Sequence, residues 1–206
     1  MLDHADLVPV LRDFGCLYVT SAVESVDDRI LGYLEKHHSR ADFERALALC
    51  RANGIALAPT FVPFTPWTTL EGYLDLLHEL VRLKLQEAVP PVQLAMRLLV
   101  PEGSYLLRLP GFADKLAPFD PQLLGYPWHH ADPCVDALQR EVQAMAMHME
   151  SASRVDAFRE IWRLAHAALS REAPSLDGSD TGQAVPRLSE PWYCCAEPTD
   201  LQLQSF

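Results

Sequence analysis

Apolar and polar positions follow two alternating periods through the first half of the chain. In residues 4–13, Leu7, Val8 and Leu11 share one face of a short helix, with Gly15 just past its end. Residues 16–20 (CLYVT) are a short apolar run between polar neighbours and predict a strand. Helical spacing returns in 27–35, at Ile30, Leu31 and Leu34. It returns again in 41–53, at Phe43, Ala46, Leu47 and Cys50, before Gly54 stops the helix. Residues 55–62 predict a second strand. Thr68-x-x-Glu71 has the form of a capping box and opens a helix that runs to about Lys84. Residues 92–100 (VQLAMRLLV) predict a third strand. It is nearly continuous in apolar residues, as suits a parallel strand covered on both faces, with Gln93 and Arg97 as its polar exceptions.

This alternation of helix and strand implies crossover helices and a parallel sheet, so the expected fold class is α/β. After Pro101 the character changes. Pro118, Pro121 and Pro127 break up a loop-rich segment. Asp132-Pro133 reads as an N-cap followed by proline at the first helical position, with a helix from there to about 150 and another over 154–171. From 173 onward Pro, Ser, Gly and Asp dominate and predict a flexible tail. The expected divisions are 1–111, 112–172 and 173–206. Three parallel strands with helices make half of a barrel, and an open edge of an apolar sheet invites association. The expectation is that the chain pairs with another copy or a separate polypeptide, or is the back half of a longer protein.

Composition narrows the function. The 206 residues suffice for one domain with a real core. A formal charge of -11, from 28 acidic and 17 basic residues, argues against a nucleic-acid partner. No leader pattern or membrane-length apolar run is visible, so a cytoplasmic location without membrane contact is expected. The five cysteines are irregularly spaced and form no CxxC, which argues against a disulfide framework.

Several polar residues sit where the expected strands end, the edge at which parallel sheets bind ligands. Glu24 could accept hydrogen bonds from ligand hydroxyls such as a ribose diol. Equally, Glu24 and Ser25 could decorate a helix start, with Ser25-x-x-Asp28 as an N-cap pair. Lys36, one of only three lysines, could pair with a ligand carboxylate or complement a helix C-terminus. Thr60 could offer a hydroxyl and Val62 a backbone facing a flat ring, or both could be ordinary strand packing. Arg97, amid apolar neighbours, must find a partner or face a polar cavity. The adjacent Cys194 and Cys195 could be a redox pair, metal ligands or idle thiols. His129, His130, Asp132 and Cys134 are types that ligate zinc, yet Asp132-Pro133 is better explained as a helix start, and no metal site is expected. Cys16 and Cys50 read as small core residues.

Together, residues 14–107 resemble the C-terminal half of a radical S-adenosylmethionine (radical SAM) enzyme core. In coproporphyrinogen oxidase-like and cobalamin-associated members a strand runs into a Gln-Ser or Glu-Ser pair. A helix and an Arg or Lys follow, then a Gly-Ile strand and a proline-ended turn. Glu24-Ser25, Lys36, Gly54-Ile55 and Pro66 take those places. Trp192-Tyr193-Cys194-Cys195-Ala196-Glu197-Pro198 resembles the end of radical SAM proteins with a CCAEP tail, in which the second cysteine can be replaced by selenocysteine. The turn FTPWTT and the segment PVQLAMRLLVP look like the same subgroup.

The resemblance implies the rear half of a partial (β/α)6 TIM-like barrel with S-adenosylmethionine as cosubstrate. Glu24 would bind the ribose hydroxyls and Lys36 the methionyl carboxylate, at opposite ends of the ligand. Val62 would lie against the adenine, and Thr60 stands where relatives often carry an acidic ribose ligand. Ser25 and Arg97 would complete the cosubstrate set, and Cys194 and Cys195 would serve catalysis. The complete family uses a 4Fe-4S cluster to cleave S-adenosylmethionine reductively, and the resulting 5′-deoxyadenosyl radical abstracts hydrogen from a substrate. The cluster is held by a CxxxCxxC loop, because thiolates are the required ligands. This chain has no such motif. It therefore looks like a truncated or split member, whose partner would be a missing N-terminal half. The alternative is a non-catalytic fragment or subunit that acts by association through its open sheet edge.

Overall fold

A computed structural model describes residues 1–185 and shows a mixed α/β protein built around a small two-stranded parallel sheet. A turn of 3-10 helix over Leu2–Leu7 leads into α1 (Val8–Asp13). β1 (Tyr18–Glu24), α2 (Asp28–Tyr33), α3 (Arg40–Ala52), β2 (Ala56–Phe61) and α4 (Leu70–Arg82) follow. After a long irregular stretch come α5 (Pro133–His148) and α6 (Arg154–Ala168). β1 starts two residues later than its apolar run and extends to Glu24, so Glu24 ends the strand rather than following it.

β1 and β2 pair in parallel from Tyr18 opposite Ala56 to Ala22 opposite Thr60. A bulge at Val23 then places Glu24 opposite Phe61. Glu24 has φ 66°, in the left-handed region that non-glycine residues rarely adopt.

The expected third strand over 92–100 is largely absent. Pro91–Ala95 form a 3-10 turn, and only a single parallel bridge joins Arg97 to Phe64. The Phe64 N–H donates to the Met96 carbonyl at 3.1 Å, and the Leu98 N–H to the Phe64 carbonyl at 2.9 Å. The reason lies at the start of the segment. Pro90 and Pro91 carry no N–H for a ladder. Side chains replace the missing ladder: Gln93 Oε1 accepts from the Phe61 N–H at 3.1 Å, and the Tyr73 hydroxyl donates to the Leu94 carbonyl at 3.0 Å.

One core runs through the helices on the sheet. It joins Phe43, Leu47, Leu77 and Leu80 to Val142, Phe158 and Ile161 of the last two helices. Residues 112–172 thus share a core with 1–111. A second cluster, with Val62, Leu98, Val100, Phe112 and Trp128, forms where the segment 101–130 folds back over the strand ends. Gly125 permits that approach, because a Cβ there would meet the Val100 carbonyl oxygen at 2.9 Å.

Helix starts follow local chemistry. Asp132 accepts from the Cys134 N–H at 2.9 Å with Pro133 at the first turn, as its sequence indicates. The cap of α4 is Thr69, not Thr68: its Oγ1 accepts from the Gly72 N–H at 2.9 Å. Thr68 is buried, and its hydroxyl donates to the Pro63 carbonyl at 2.8 Å.

Residues 173–185 also depart from expectation. They are held against the helices rather than trailing as a tail. Trp162 Nε1 donates to the Pro174 carbonyl at 3.0 Å, and Lys84 pairs with Asp180 at 2.7 Å. Arg154 donates to the carbonyls of Glu87 and Val185, and Val185 is buried in the main core. Apolar side chains (Ala173, Leu176, Val185) at intervals within the polar composition anchor this strap.

Candidate functional site

The bulge that ends β1 turns the Glu24 side chain into the protein, where the residue is buried. Lys36 arrives from the turn after α2 and donates from Nζ to Glu24 Oε1 at 2.8 Å. The two residues expected at opposite ends of a ligand are thus in direct contact. An ion pair with one buried member satisfies a carboxylate that burial would otherwise penalise. The pair lies at the C-terminal end of β1, and the Val62 N–H donates to the Glu24 carbonyl at 2.9 Å, which ties it to the end of β2.

Ser25 lies in the following turn, and its Oγ accepts from the Asp27 N–H at 3.0 Å. Asp27 in turn caps α2 through the Arg29 N–H at 2.8 Å. A helix does start here, but its N-cap is Asp27 and not the expected Ser25-x-x-Asp28 pair: Asp28 is the first helical residue, and Ser25 lies two residues ahead of the cap. A small cleft of about 20 Å³ opens beside Glu24, Ser25 and Asp27, against Thr68 and Thr69. That is room for about one water, far from the volume of a nucleoside pocket.

The other expected ligand contacts are placed differently. Val62 is 3% exposed, with its side chain in the cluster under the 101–130 segment. Thr60 sits opposite Ala22, and its hydroxyl approaches the Ser21 carbonyl at a long 3.5 Å. Arg97 lies apart from the Glu24 pair. Its guanidinium meets Asp136 Oδ1 at 2.7 Å, donates to the Trp128 carbonyl, and stacks 3.6 Å over the Trp128 ring. Arg97 thus found the partners its apolar surroundings required, and it ties the Met96–Leu98 segment to the start of α5. Burial raises the Asp136 carboxyl, but the Arg97 hydrogen bond and the His130 N–H outweigh it and hold the group below its ordinary value.

Three features were not read as site residues. His38 has Nε2 at 3.1 Å from the Val23 carbonyl and Nδ1 at 3.1 Å from the Lys36 carbonyl. Its only signal was a histidine pair between Lys36 and the Ser39 cap. Tyr33, Trp67 and Phe112 stack in series, with ring centroids 4.7 and 5.2 Å apart. Thr65 and Thr68 join their hydroxyls at 2.9 Å, fixing the FTPWTT turn.

Cys194 and Cys195 lie outside the described residues. Among the described residues no group of three His, Cys, Asp or Glu converges to hold a metal ion. His130 and Asp132 are occupied by each other and by the start of α5. Cys16, Cys50 and Cys134 lie on three different elements or turns and form no cluster cradle. No helix among the described residues is long and apolar enough to cross a membrane. The chain matches no protein-family model, and neither a curated protein nor a solved structure matches it.

Proposed function

We propose that this chain supplies one side of an S-adenosylmethionine site, as the C-terminal half of a radical SAM core in a partial (β/α)6 barrel. The observation that carries this reading is the Glu24–Lys36 pair at the C-terminal ends of two parallel strands. It combines a hydrogen-bond acceptor for a diol with a cation for a carboxylate, at the sheet edge where parallel folds bind ligands. The ligand's carboxylate would replace Glu24 on Lys36, leaving Glu24 to accept from the ribose hydroxyls. Thr60 and the backbone of Val62 line the adjoining strand end. Because this exchange opens an existing ion pair, and because the cleft is small, the chain by itself would bind the ligand weakly.

The iron-sulfur chemistry of the family does not fit the described residues, which offer no convergent thiolates. On this reading the described residues contribute only to holding the cosubstrate, and the cluster would be held outside them. Anaerobic expression together with the reading frame upstream of Met1 tests this. A CxxxCxxC loop in that frame and release of 5′-deoxyadenosine support the reading. An upstream frame without the loop, and no 5′-deoxyadenosine, contradict it.

A second reading rests on a different observation. Among the described residues β1 has a strand partner on one side only, and Leu7, Val10, Leu11, Phe14 and Leu17 before it in the chain are exposed, Phe14 at 88%. An apolar groove of about 240 Å³ runs between Leu7, Leu11 and Val19. On this reading the chain is a non-catalytic subunit that associates through that edge. A stable dimer in sedimentation, with no upstream cluster loop, favours it.

A further inference from the structure

We propose that His38 is a positioning residue for the Glu24–Lys36 pair and that it holds the pair as an imidazolium ion. The inference rests on reading that pair as a ligand site, but its geometry stands independently. The His38 ring lies between two carbonyl oxygens, of Val23 and of Lys36, each 3.1 Å from a ring nitrogen. A carbonyl oxygen only accepts, and a neutral imidazole has one N–H. With a neutral ring one of the two contacts sets a lone pair against a lone pair. With both nitrogens protonated, both contacts are hydrogen bonds.

The two carbonyls belong to the chain on either side of the ion pair. Val23 directly precedes Glu24, and the second oxygen is that of Lys36 itself. The ring therefore clasps the strand end to the turn that carries the cation. That turn needs a clasp: Glu24, Glu35 and His37 have φ of 66°, 48° and 55°, all in the left-handed region. Non-glycine residues hold such conformations only where the surroundings enforce them. Loss of one ring proton removes one of the two ties, and the Lys36 end of the pair loosens.

Glu35 shares the turn with His38, and the following charged groups of β1, α2 and α3 have partners other than its nitrogens. Glu24 of β1 is paired with Lys36, and Asp28 of α2 accepts from the Arg40 N–H. In α3, Arg40 pairs with Asp75 and Glu79, and Asp42 with Arg45. His37 lies next to it in the same turn. The proposal adds a regulatory property to the site: a site held rigid when His38 is charged and loosened when it is neutral.

The test is an NMR titration of the full chain from about pH 5 to about pH 8, the range in which histidine changes charge. It follows the His38 ring nitrogens and the hydrogen exchange of the Lys36 ammonium. His38→Gln is the reference, since its amide offers one donor, as the neutral ring does. While both His38 nitrogens carry protons, Lys36 exchange is expected to be about tenfold slower than in His38→Gln, the equivalent of one hydrogen bond. The two rates are expected to converge in the same step as the ring loses a proton. Equal rates across the range overturn the proposal, and so does a ring that carries a single proton throughout. Thermal midpoints of both proteins check that the variant is folded, and the wild-type step is readable without it. Neither readout needs S-adenosylmethionine. A clear step without ligand binding leaves the clasp standing and refutes the cosubstrate reading; ligand binding without a step does the reverse.

Discussion

Lys36 reaches back twelve residues to place its ammonium 2.8 Å from the Glu24 carboxylate, joining the end of the first strand to the turn beyond α2. Glu24's side chain is 6% exposed and that of Lys36 32%. Removing the cation leaves a buried carboxylate without its partner, which costs more than the pair contributes. Lys36→Met is expected to lose about 1–3 kcal/mol in urea unfolding. The double variant Glu24→Leu, Lys36→Met is expected to recover part of that loss. Additive losses in the cycle would show that the two side chains do not interact.

Arg97 and Trp128 give a second test. The guanidinium uses its flat face on the indole and its fork on Asp136 and the Trp128 carbonyl. Arg97→Lys keeps the charge but loses both geometries. Loss of the stack and of one hydrogen bond is expected to cost about 1–2 kcal/mol. A red shift of Trp128 fluorescence in the folded state is expected alongside. No change in thermal midpoint would remove Arg97 from the account of how the third segment is held.

His78 makes stability depend on pH. It packs edge-on against Trp162 at 4.6 Å, with His166 at 5.6 Å. Burial pushes its pKa down, as do the neighbouring His166 and Arg171, while Asp75 opposes them. The folded state therefore takes up this proton less readily than the unfolded chain. The associated stability is complete above the ordinary imidazole value of about 6.5 and declines as the pH falls below it. Denaturant midpoints measured on both sides of that value are expected to drop on the acid side. The drop should shrink in His78→Gln. An equal drop in the variant assigns the effect to other groups.

Gly182 tests the strap. Its φ is +82°, and a Cβ there would lie 1.8 Å from the Lys84 carbonyl oxygen. Gly182→Ala is expected to cost about 2 kcal/mol or more. Faster protease cleavage within 173–185 should accompany it. Unchanged cleavage would mean that the strap bends to admit the methyl group.

How far the sequence could be read depended on whether local pattern or distant partners decided the outcome. The helices at Phe43–Leu47–Cys50 and Leu74–Leu77–Leu80 were legible from spacing, because each buries one face. Asp132-Pro133 was legible because capping is local. The segment 92–100 was misread as a strand because its apolar run hides two effects. Pro90 and Pro91 withhold N–H groups, and Gln93 supplies to Phe61 a bond that a strand would have made with its backbone. The strap at 173–185 was misread because its composition is that of a tail, whereas Trp162, Arg154 and Lys84 hold it from far away in sequence. The places of Glu24 beside the end of the first strand and of Lys36 beyond the next helix were legible from the pattern. Their contact was not legible, because it depends on the bulge at Val23 and on three left-handed residues that spacing does not reveal.

Titration of the isotope-labelled chain with S-adenosylmethionine tests the central claim most directly. Binding is expected on the order of 1 mM, equivalent to about 4 kcal/mol. Resonance shifts should be concentrated at Glu24, Ser25 and Lys36 and be abolished by Lys36→Ala. Shifts confined to other parts of the molecule, or none at these three residues at several times that concentration, would contradict the assignment of this strand end as a cosubstrate site.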